Sequence, residues 1–569
     1  MIKLLNQAKK ELIIEACNRG VENPRDFLML KNEICERHKI DSLPNYGLRD
    51  IYNKLIETKE IEKNLEIEKL LKKAKMRTLS GVAVVSVLTK PYKCPGNCLY
   101  CPSEKNMPKS YLSNEPAVMR AILCKFDPYK QVQMRLRALE QAGHATDKIE
   151  LIIMGGSFNA LPLKYQYWFI ERCFSACNEC GMKNQKPKVK IQSFISKFKK
   201  YSIFNIQYFV NSLKSKLSKE QKRNERVKHR IIGLTLETRP DLINEKEILK
   251  FRDMGCTKVE IGVQSIYDEV LEKNKRGHGR AETIKATKLL KDAGFKVSYH
   301  MIPNLLGSNL EKDYEMFREI FTNPDFQPDL LKIYPCVVTK DSELYNIWKR
   351  GDYKPYSDEE LFELLIKIKK IIPPYVRISR LIRDIPEESI VAGNKRTNLR
   401  QLIANDSRSN NWKCNCIRCR EIRDSESVGT SLDLSLQLDR VDYNASGGKE
   451  IFLQYIDENN RLYSMLRLRI PVGNVDLRSL HQGLQNCAVI REVHTYGEMM
   501  SVGARHAVPE DVSQHKGLGR KLIEKAEKIA RDEFGFDKIA IIAGVGAREY
   551  YRKINYELEG TYMVKSIDK

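Results

Sequence analysis

"CPGNCLYC", residues 94–101, sets three cysteines into eight positions around Pro95 and Gly96. Proline and glycine disfavour regular helix between Cys94 and Cys98, so the stretch reads as a loop on which thiolates converge. On these residues alone it is a disulfide knot, a zinc loop or an iron–sulfur cradle. The chain carries fifteen cysteines in 569 residues. An odd count in a long chain argues against a disulfide framework and for thiolate ligands in a reducing compartment. The start, "MIKLLNQAKKELIIEACNRG", spreads charges through its apolar positions instead of showing a basic stub, apolar block and cleavage site. It reads as an amphipathic helix of a cytoplasmic protein. Thiolates suit both zinc and iron–sulfur clusters; a full cluster takes four cysteines, so three leave one iron open to a small molecule.

What surrounds the loop narrows the choice. From about residue 80 to 335, six short runs rich in β-branched residues ("GVAVVSVL", "IELIIMGG", "IIGLTL", "KVEIGVQS", "FKVSYHMIP" and "LLKIYP") alternate with longer amphipathic segments. That is the pattern of parallel βα units. It predicts a partial or complete α/β barrel whose active site lies at the strands' C-terminal ends, near Gly155, Gly156, Glu237, Gln264, His300 and Lys332. The cysteine loop follows the first strand. The predicted organisation is multidomain α/β: a small helical domain over 1–75, the barrel over 76–400, a cysteine-bearing linker over 401–429, and a separate α+β domain over 430–569. No apolar run is long enough to span a bilayer.

The formal charge is +24, with 42% hydrophobic and 30% charged residues, which points to a soluble protein with an anionic partner. Residues 181–230 hold fifteen Lys or Arg against two Glu. Phe194, Phe198, Tyr201, Phe204, Tyr208 and Phe209 interleave with these lysines. Basic groups pair with phosphates while aromatics stack on unpaired bases, which suits RNA loops; a solvated helical insertion with aromatics packed inward is the competing reading.

"CFSACNEC" repeats the cysteine spacing at Cys173, Cys177 and Cys180 without an intervening proline or glycine. It continues a helical pattern and reads as buried helix. "MGGSF" ends a strand with Gly155 and Gly156, where backbone approaches a ligand closely. "VEIGVQS" places Glu260 and Gln264 on one side of a strand. Gln514, Gly517 and Gly519 open an amphipathic helix whose N-terminal amides suit a pyrophosphate. "REVHTYG" offers Glu492 and His494 facing one way, the histidine suited to relaying a proton near neutral pH. "CNCIRC" brings Cys414, Cys416 and Cys419 together as zinc ligands, with Cys336 as the favoured fourth and a histidine or Cys487 as the others.

The Cys-x3-Cys-x2-Cys loop at a barrel mouth resembles the radical S-adenosylmethionine (SAM) superfamily. The stretch from Gln514 to Tyr551 resembles the core of GCN5-related N-acetyltransferases. Together with "EPAVMRA", "DKIELIIMGGSFNALP", "LETRPD", "EIGVQSIYDEVL", "IYPCVVTKDSELY", "REVHTYG" and "GVGAREYYRKINYELEG", the pairing resembles the Elongator catalytic-subunit family in its microbial form, over roughly residues 76–569. The resemblance implies a [4Fe-4S] cluster on Cys94, Cys98 and Cys101. It implies SAM held by Gly155, Gly156, Glu260 and Gln264, and acetyl-CoA as substrate on Lys148, Glu492, Val493, His494, Thr495, Gln514, Gly517, Leu518, Gly519, Arg520 and Tyr551. The catalytic set it implies is Tyr551, Tyr550, His494 and Glu492, a tyrosine protonating the departing CoA thiolate. Implied too are zinc on the linker, an electron donor, and tRNA bound through its anticodon stem-loop, with residues 1–75 as a basic RNA-binding region. The reaction implied is radical carboxymethylation of wobble uridine, without accessory subunits, by a monomer or homodimer. The alternative is a protein lysine acetyltransferase with a structural cluster; a non-enzymatic tRNA-binding scaffold is a third reading.

Overall fold

Six strands of the first sheet fall on the six apolar runs, and a seventh falls where the sequence gives little sign of one. The computed structural model describes residues 2–43, 47–71, 81–180, 203–422, 436–471, 484, 486–497 and 517–568. The sheet comprises β1 (Ala83–Leu88), β2 (Lys148–Met154), β3 (Arg230–Thr238), β4 (Lys258–Gln264), β5 (Lys296–Met301), β6 (Leu330–Ile333) and β7 (Arg377–Arg380). All pair in parallel, in sequence order. Strands β1 and β7 are its two edges, so the barrel is partial. Helices between strands cover the outer face, which is why β1 to β6 read as near-continuous apolar runs. Their starts are set by side-chain caps: Asp127, Asn244, Asn309 and Ser357 each accept a hydrogen bond from the backbone three residues on. The missed β7 is "RISR", four residues of which Ile378 is fully buried.

Ahead of the barrel, helices Ile2–Asn18, Pro24–Arg37, Leu48–Glu57 and Leu65–Leu71 enclose a small core of their own around Leu12, Ile13, Ile34 and Tyr52.

The second sheet runs in the order β13-β14-β12-β11-β10-β9-β8. Its strands are β8 (Gln437–Ala445), β9 (Gly448–Ile456), β10 (Leu462–Pro471), β11 (Cys487–Thr495), β12 (Lys538–Ile541), β13 (Glu557–Glu559) and β14 (Tyr562–Ser566). Only β11 and β12 pair in parallel, joined by a connection containing the helix Leu518–Asp532. Their register runs from Cys487↔Lys538 to Ile490↔Ile541, and β11 then continues past β12 to Thr495, still paired with β10. One face of this sheet packs on that helix through Leu468, Ile490, Leu522 and Ala526.

The other face sits on the N-terminal ends of the barrel strands, where Val489, Ile542, Val545 and Tyr562 join the barrel's core. Gly294, just before β5, has φ +83°, and a Cβ there would lie 3.0 Å from Val489. Between the layers lies a buried cluster of charges. Arg491 donates to Asp329 at 2.6 and 2.8 Å and to Glu450 at 2.8 Å; Arg469 donates to Asp292 at 2.9 Å and to Glu450 at 2.9 Å. No sequence pattern announced it.

Candidate functional site

Interior positions of the barrel strands carry charged and small residues among the bulky aliphatics that would fill a closed barrel. Ser86, Glu150, Gly233, Lys258, Glu260, Lys296, His300, Lys332 and Arg377 leave a polar channel of about 970 Å3. Its walls reach from Cys94, Cys98 and Cys101 at the C-terminal mouth to Glu492, His494 and Tyr496 of β11 at the other end.

At the mouth, Cys98 is buried and Cys94 and Cys101 half-buried. The Gly96 amide donates to the Cys94 sulfur at 3.4 Å, and Arg276 donates to Cys98 at 3.5 Å. The neighbouring Cys101 thiol and the Arg276 guanidinium hold the Cys98 thiol below its ordinary value against the effect of burial. Gly96 matters for its missing side chain: a Cβ would lie 2.1 Å from Arg239 Nη1. Among the polar atoms buried here with no hydrogen-bond partner in the described residues are Arg239 Nη1 and Gln264 Oε1. Gln264 also holds a left-handed φ of +73° at the end of β4, an unusual conformation for a side-chain-bearing residue. Three thiols, a guanidinium beside them, an orphaned donor and an orphaned acceptor fit an iron–sulfur cluster carrying an amino-acid ligand.

The two glycines of "MGGSF" divide their work. Gly155 (φ +129°) packs against Thr89, whose Oγ1 a Cβ would approach to 2.0 Å, whereas Gly156 (φ +88°) lines the channel. Glu260 is committed within the protein: His300 Nε2 lies 3.1 Å from its Oε2, to which Lys332 also donates. Burial alone would raise this carboxyl; Lys332, His300 and Lys258 outweigh it and hold Glu260 well below the usual range. Ligand atoms of Glu237, Glu260 and His300 meet within 4.8 Å, but Lys332 already supplies the countercharge. Glu237 accepts from Tyr111 at 2.7 Å. Arg276 and Tyr111 escaped sequence reasoning, since neither stands in a spacing that suggests chemistry. Arg239 lay in the quoted "LETRPD" without being singled out.

At the far end, a β-bulge in the β10–β11 pairing decides which side chains enter the channel. Register passes from Leu468↔Ile490 to Arg467↔Glu492, skipping Arg491. Arg491 and Glu492 therefore both turn toward the barrel, followed by His494 and Tyr496, while Val493 and Thr495 turn to the helix Leu518–Asp532. There a Cβ on Gly519 would lie 3.3 Å from Thr495 Oγ1 and 3.7 Å from Val493. Glu492 accepts from Arg467 at 2.9 Å and pairs with Lys296 at 3.5 Å. Burial opposes its charge, but Lys296 and Arg467 take its carboxyl down to about 2.

Two expectations, a relay at His494 and a zinc ligand at Cys336, are corrected. Burial pushes the His494 imidazole down to about 4, Glu492 opposing, so it is neutral at pH 7 and does not titrate there as a relay would. Its Nε2 is buried without a hydrogen-bond partner. Tyr551 and Tyr550 do not meet Glu492 and His494. Tyr551 lies in the core on the opposite face of the sheet, its ring 6.1 Å from Tyr556, and burial raises its hydroxyl above the ordinary value; Tyr550 is exposed. Cys336 is not the fourth partner of the linker cysteines. It is buried beside Cys98, Tyr100 and Tyr353 at the channel's mouth. Cys414, Cys416 and Cys419 dock at the opposite end of β7, where Ile417 N donates to Val376 and Arg420 to Pro374.

The three linker sulfurs lie within 4.8 Å of one another, close to the spacing of thiolates around tetrahedral zinc. Lys369 Nζ stands 3.3 Å from the Cys419 sulfur, its charge favoured by the cysteines against burial. Two residues on, Glu421 bridges to Leu462 of β10 and the Ile422 amide donates to Leu462.

Of the remaining positions, Gly517 (φ +69°) is the N-cap of the helix that Leu518, Gly519 and Arg520 begin; Gln514 lies outside the described residues. Lys148 starts β2 opposite Arg230, against whose Cβ a Cβ on Gly546 would lie 2.6 Å; burial lowers its ammonium. In the basic insertion, Phe194, Phe198 and Tyr201 lie outside the described residues, as does the Phe204 side chain. Tyr208 is 80% exposed, and Phe209 packs inward beneath Lys164. Cys173 and Cys177 are buried in the helix Leu163–Glu179, as expected.

The Radical SAM superfamily pattern matches residues 88–320, and the Radical SAM C-terminal domain pattern residues 328–408. The former implies a [4Fe-4S] cluster and SAM. The chain is 45% identical to the tRNA uridine(34) acetyltransferase of Methanocaldococcus jannaschii, covering 90% of this chain and 88% of that one. It is 39% identical to human Elongator complex protein 3, covering 87% and 86%. Among solved structures, the archaeal Elp3 of Methanocaldococcus infernus with an N-terminal deletion superposes with a TM-score of 0.69 at 42% identity, covering 86% of this chain and all of that one.

Proposed function

Because the chain belongs to the family of tRNA uridine(34) acetyltransferases and Elongator complex protein 3, we propose that it carboxymethylates C5 of wobble uridine in tRNA, with acetyl-CoA as the carbon donor. The observation that carries this reading is the single channel between the cysteine loop and β11. A lysine acetyltransferase has no use for a polar passage to a cluster. The uridine C5 atom is an unactivated carbon, which acid–base chemistry near pH 7 does not readily alkylate, so the reaction calls for a radical source and an acyl donor in one cavity.

Cys94, Cys98 and Cys101 would hold the cluster, whose chemistry when bound is the reductive cleavage of SAM with an external electron donor. Around it, the Gly156 backbone, Gln264 Oε1 and Arg239 Nη1 offer donors and acceptors to an amino-acid moiety. Lys332 and His300 keep Glu260 charged, so the channel wall carries a fixed anion next to the ammonium groups of Lys332 and Lys258. At the other end, β11 leaves β12 after Ile490, which frees strand-edge amides for the amide-rich arm of CoA. The turn Gly517–Gly519 faces the pyrophosphate, with Lys148 near the acyl donor. Glu492, held ionised by Arg467 and Lys296, and His494, neutral with an open Nε2, are poised to accept hydrogen bonds from, and so orient, the water that cleaves the thioester. Tyr551 is the proposed proton donor to the CoA thiolate.

Lys109, Arg120, Arg380, Arg383 and Arg418 give the channel wall a basic character suited to RNA phosphates. The basic insertion and the N-terminal helical region are the further tRNA-contacting segments of this proposal. Zinc on Cys414, Cys416 and Cys419 would clamp barrel and second sheet together. No helix among the described residues is long and apolar enough to cross a membrane; we place the protein in the cytoplasm, working without accessory subunits as a monomer or homodimer.

The test is anaerobic. Cluster-reconstituted protein is given acetyl-CoA, SAM and reductant, with and without an anticodon stem-loop RNA, and CoA release and the mass of the recovered uridine are followed. RNA-dependent CoA release with a carboxymethyl mass gain is expected. CoA release indifferent to RNA, with unmodified uridine, would overturn the proposal in favour of amine acylation.

A further inference from the structure

The helical cysteine triplet "CFSACNEC" does not behave as a unit. Cys173 and Cys177 are sealed in the core, but Cys180 caps the end of its helix and turns toward two other ligand-type residues. The Cys180 sulfur, a carboxylate oxygen of Glu140 and a ring nitrogen of His229 lie within 4.8 Å of one another. These residues come from three elements: the end of the helix Pro128–Gln141, the end of Leu163–Glu179, and the residue before β3. All three gather at the N-terminal ends of the barrel strands, at the far end of the barrel from the cluster loop.

His229 is 1% exposed. Its Nδ1 lies 2.9 Å from the Thr146 carbonyl, which accepts only if Nδ1 carries the proton. In the neutral ring Nε2 is then the lone pair; it is buried with no hydrogen-bond partner among the described residues, its neighbour Glu140 Oε1 standing 3.6 Å away. A buried imidazole oriented by a carbonyl, with its other nitrogen open toward a thiol and a carboxylate, is the arrangement by which proteins orient a metal-binding histidine. The ring is set before any metal arrives: Asn224 donates to the His229 carbonyl at 3.0 Å and to Asn178 Oδ1 at 2.7 Å. Glu140 Oε1 also accepts from Lys228 at 2.8 Å and Thr146 at 3.2 Å. Lys228 is 71% exposed on its side chain, so it can swing into solvent when a cation replaces it.

We propose that Glu140, Cys180 and His229 form a second transition-metal site, separate from the channel and the linker cysteines. One thiolate, one imidazole and one carboxylate are the donor set of tetrahedral zinc, with water or a fourth group completing the shell. Binding would release the thiol proton and displace Lys228. The metal would clasp Cys180, just before the basic insertion 181–230, to His229 near its end.

The experiment does not depend on the tRNA reaction. Crystals of the full, cluster-containing chain are equilibrated with zinc chloride, and anomalous scattering is collected above and below the zinc edge. A peak about 2.0 Å from His229 Nε2 and about 2.3 Å from the Cys180 sulfur is expected. In solution, elemental analysis should show Cys180→Ser losing about one equivalent of zinc per chain. Cys416→Ser should keep that equivalent, whatever the linker holds. Cys180 is half-buried at a helix end, so its variant is expected to fold; zinc should raise the melting temperature of wild type more than that of Cys180→Ser. Absence of an anomalous peak at His229, or zinc content unchanged in Cys180→Ser, would overturn the site.

Discussion

Glu260 is 3% exposed on an interior strand and keeps its charge because Lys332 and His300 close on the same oxygen. Breaking such a buried pair by removing one partner costs about 3–5 kcal/mol, since the remaining charge stays desolvated. Lys332→Met is therefore expected to lower stability by that amount at pH 7, read from the denaturant midpoint. The pH dependence has a definite sign. A carboxyl held low in the fold contributes stability that is present above its unfolded value, about 4.3, and lost as pH falls through the folded one. In the variant the carboxyl moves up and takes a proton on mild acidification, so the deficit should shrink between pH 7 and pH 4; a deficit constant across that range would contradict the assignment. Tyr551 carries a different expectation. If its hydroxyl protonates the CoA thiolate, Tyr551→Phe should slow CoA release by about a hundredfold or more with the melting temperature nearly unchanged, while an unaltered rate would reduce it to a core aromatic. Residue types were legible in the sequence, but their protonation was not. His494 reads as a neutral-pH relay until burial is known, and Cys336 reads as a zinc ligand until the strand ends are known to face opposite ways.

Between strands β3 and β12 the chain makes its tightest passage. A Cβ on Gly544 would lie 1.9 Å from the Ile232 carbonyl oxygen, and one on Gly546 2.6 Å from Arg230 Cβ. At Gly544 backbone meets backbone, and no rotamer change relieves the clash. Gly544→Ala should part the loop from β3, move the short helix carrying Tyr550 and Tyr551, cost about 3 kcal/mol, and depress CoA release together with stability. Gly517→Ala is the control: among the described residues nothing lies within 4 Å of its Cβ, so its left-handed φ is the strain expected, at about 1 kcal/mol. An equal loss in both variants would show that Gly544 matters for conformation and not for contact. Elements with dense apolar runs were readable from the chain, as β1 to β6 were. Strand β7 was not, because its arginines and serine face the channel and imitate a loop. Nor was the bulge at Arg491: strict alternation would put Arg491, Val493 and Thr495 on one face, and only the β10 pairing reveals the shift that sends Glu492 and His494 into the cavity.

Across the whole molecule, the two sheets are fixed to each other by charges in a layer that water does not reach. Asp329 is fully buried and faces Arg491, Lys291 and Arg467; burial would raise its carboxyl, but these cations hold it well below the usual range. Removing that anion with Asp329→Asn strands the cations facing it and should cost about 3–5 kcal/mol or more. It should also loosen the barrel from the second sheet, seen as faster proteolysis between them. Lys291 should behave in the opposite way. It is fully buried, stands 3.5 Å from Asp329 and 3.9 Å from Glu450, and its Nζ has no hydrogen-bond partner. Burial and the neighbouring arginines push its ammonium down to about 8 despite the two acids. A lysine whose folded value lies below its unfolded value of about 10.4 penalises the fold at every pH below the folded value. The penalty, about 3 kcal/mol at pH 7, is relieved as pH rises from 8 toward 10. Lys291→Met is accordingly expected to be neutral or stabilising at pH 7. Its advantage over wild type should fade by pH 9 to 10, because wild type by then has shed the proton. Denaturation of both proteins across pH 7 to 10 decides it: if Lys291→Met destabilises as strongly as Asp329→Asn, then Lys291 is an integral member of the network, and the rigidity that aligns β11 with the channel depends on its charge.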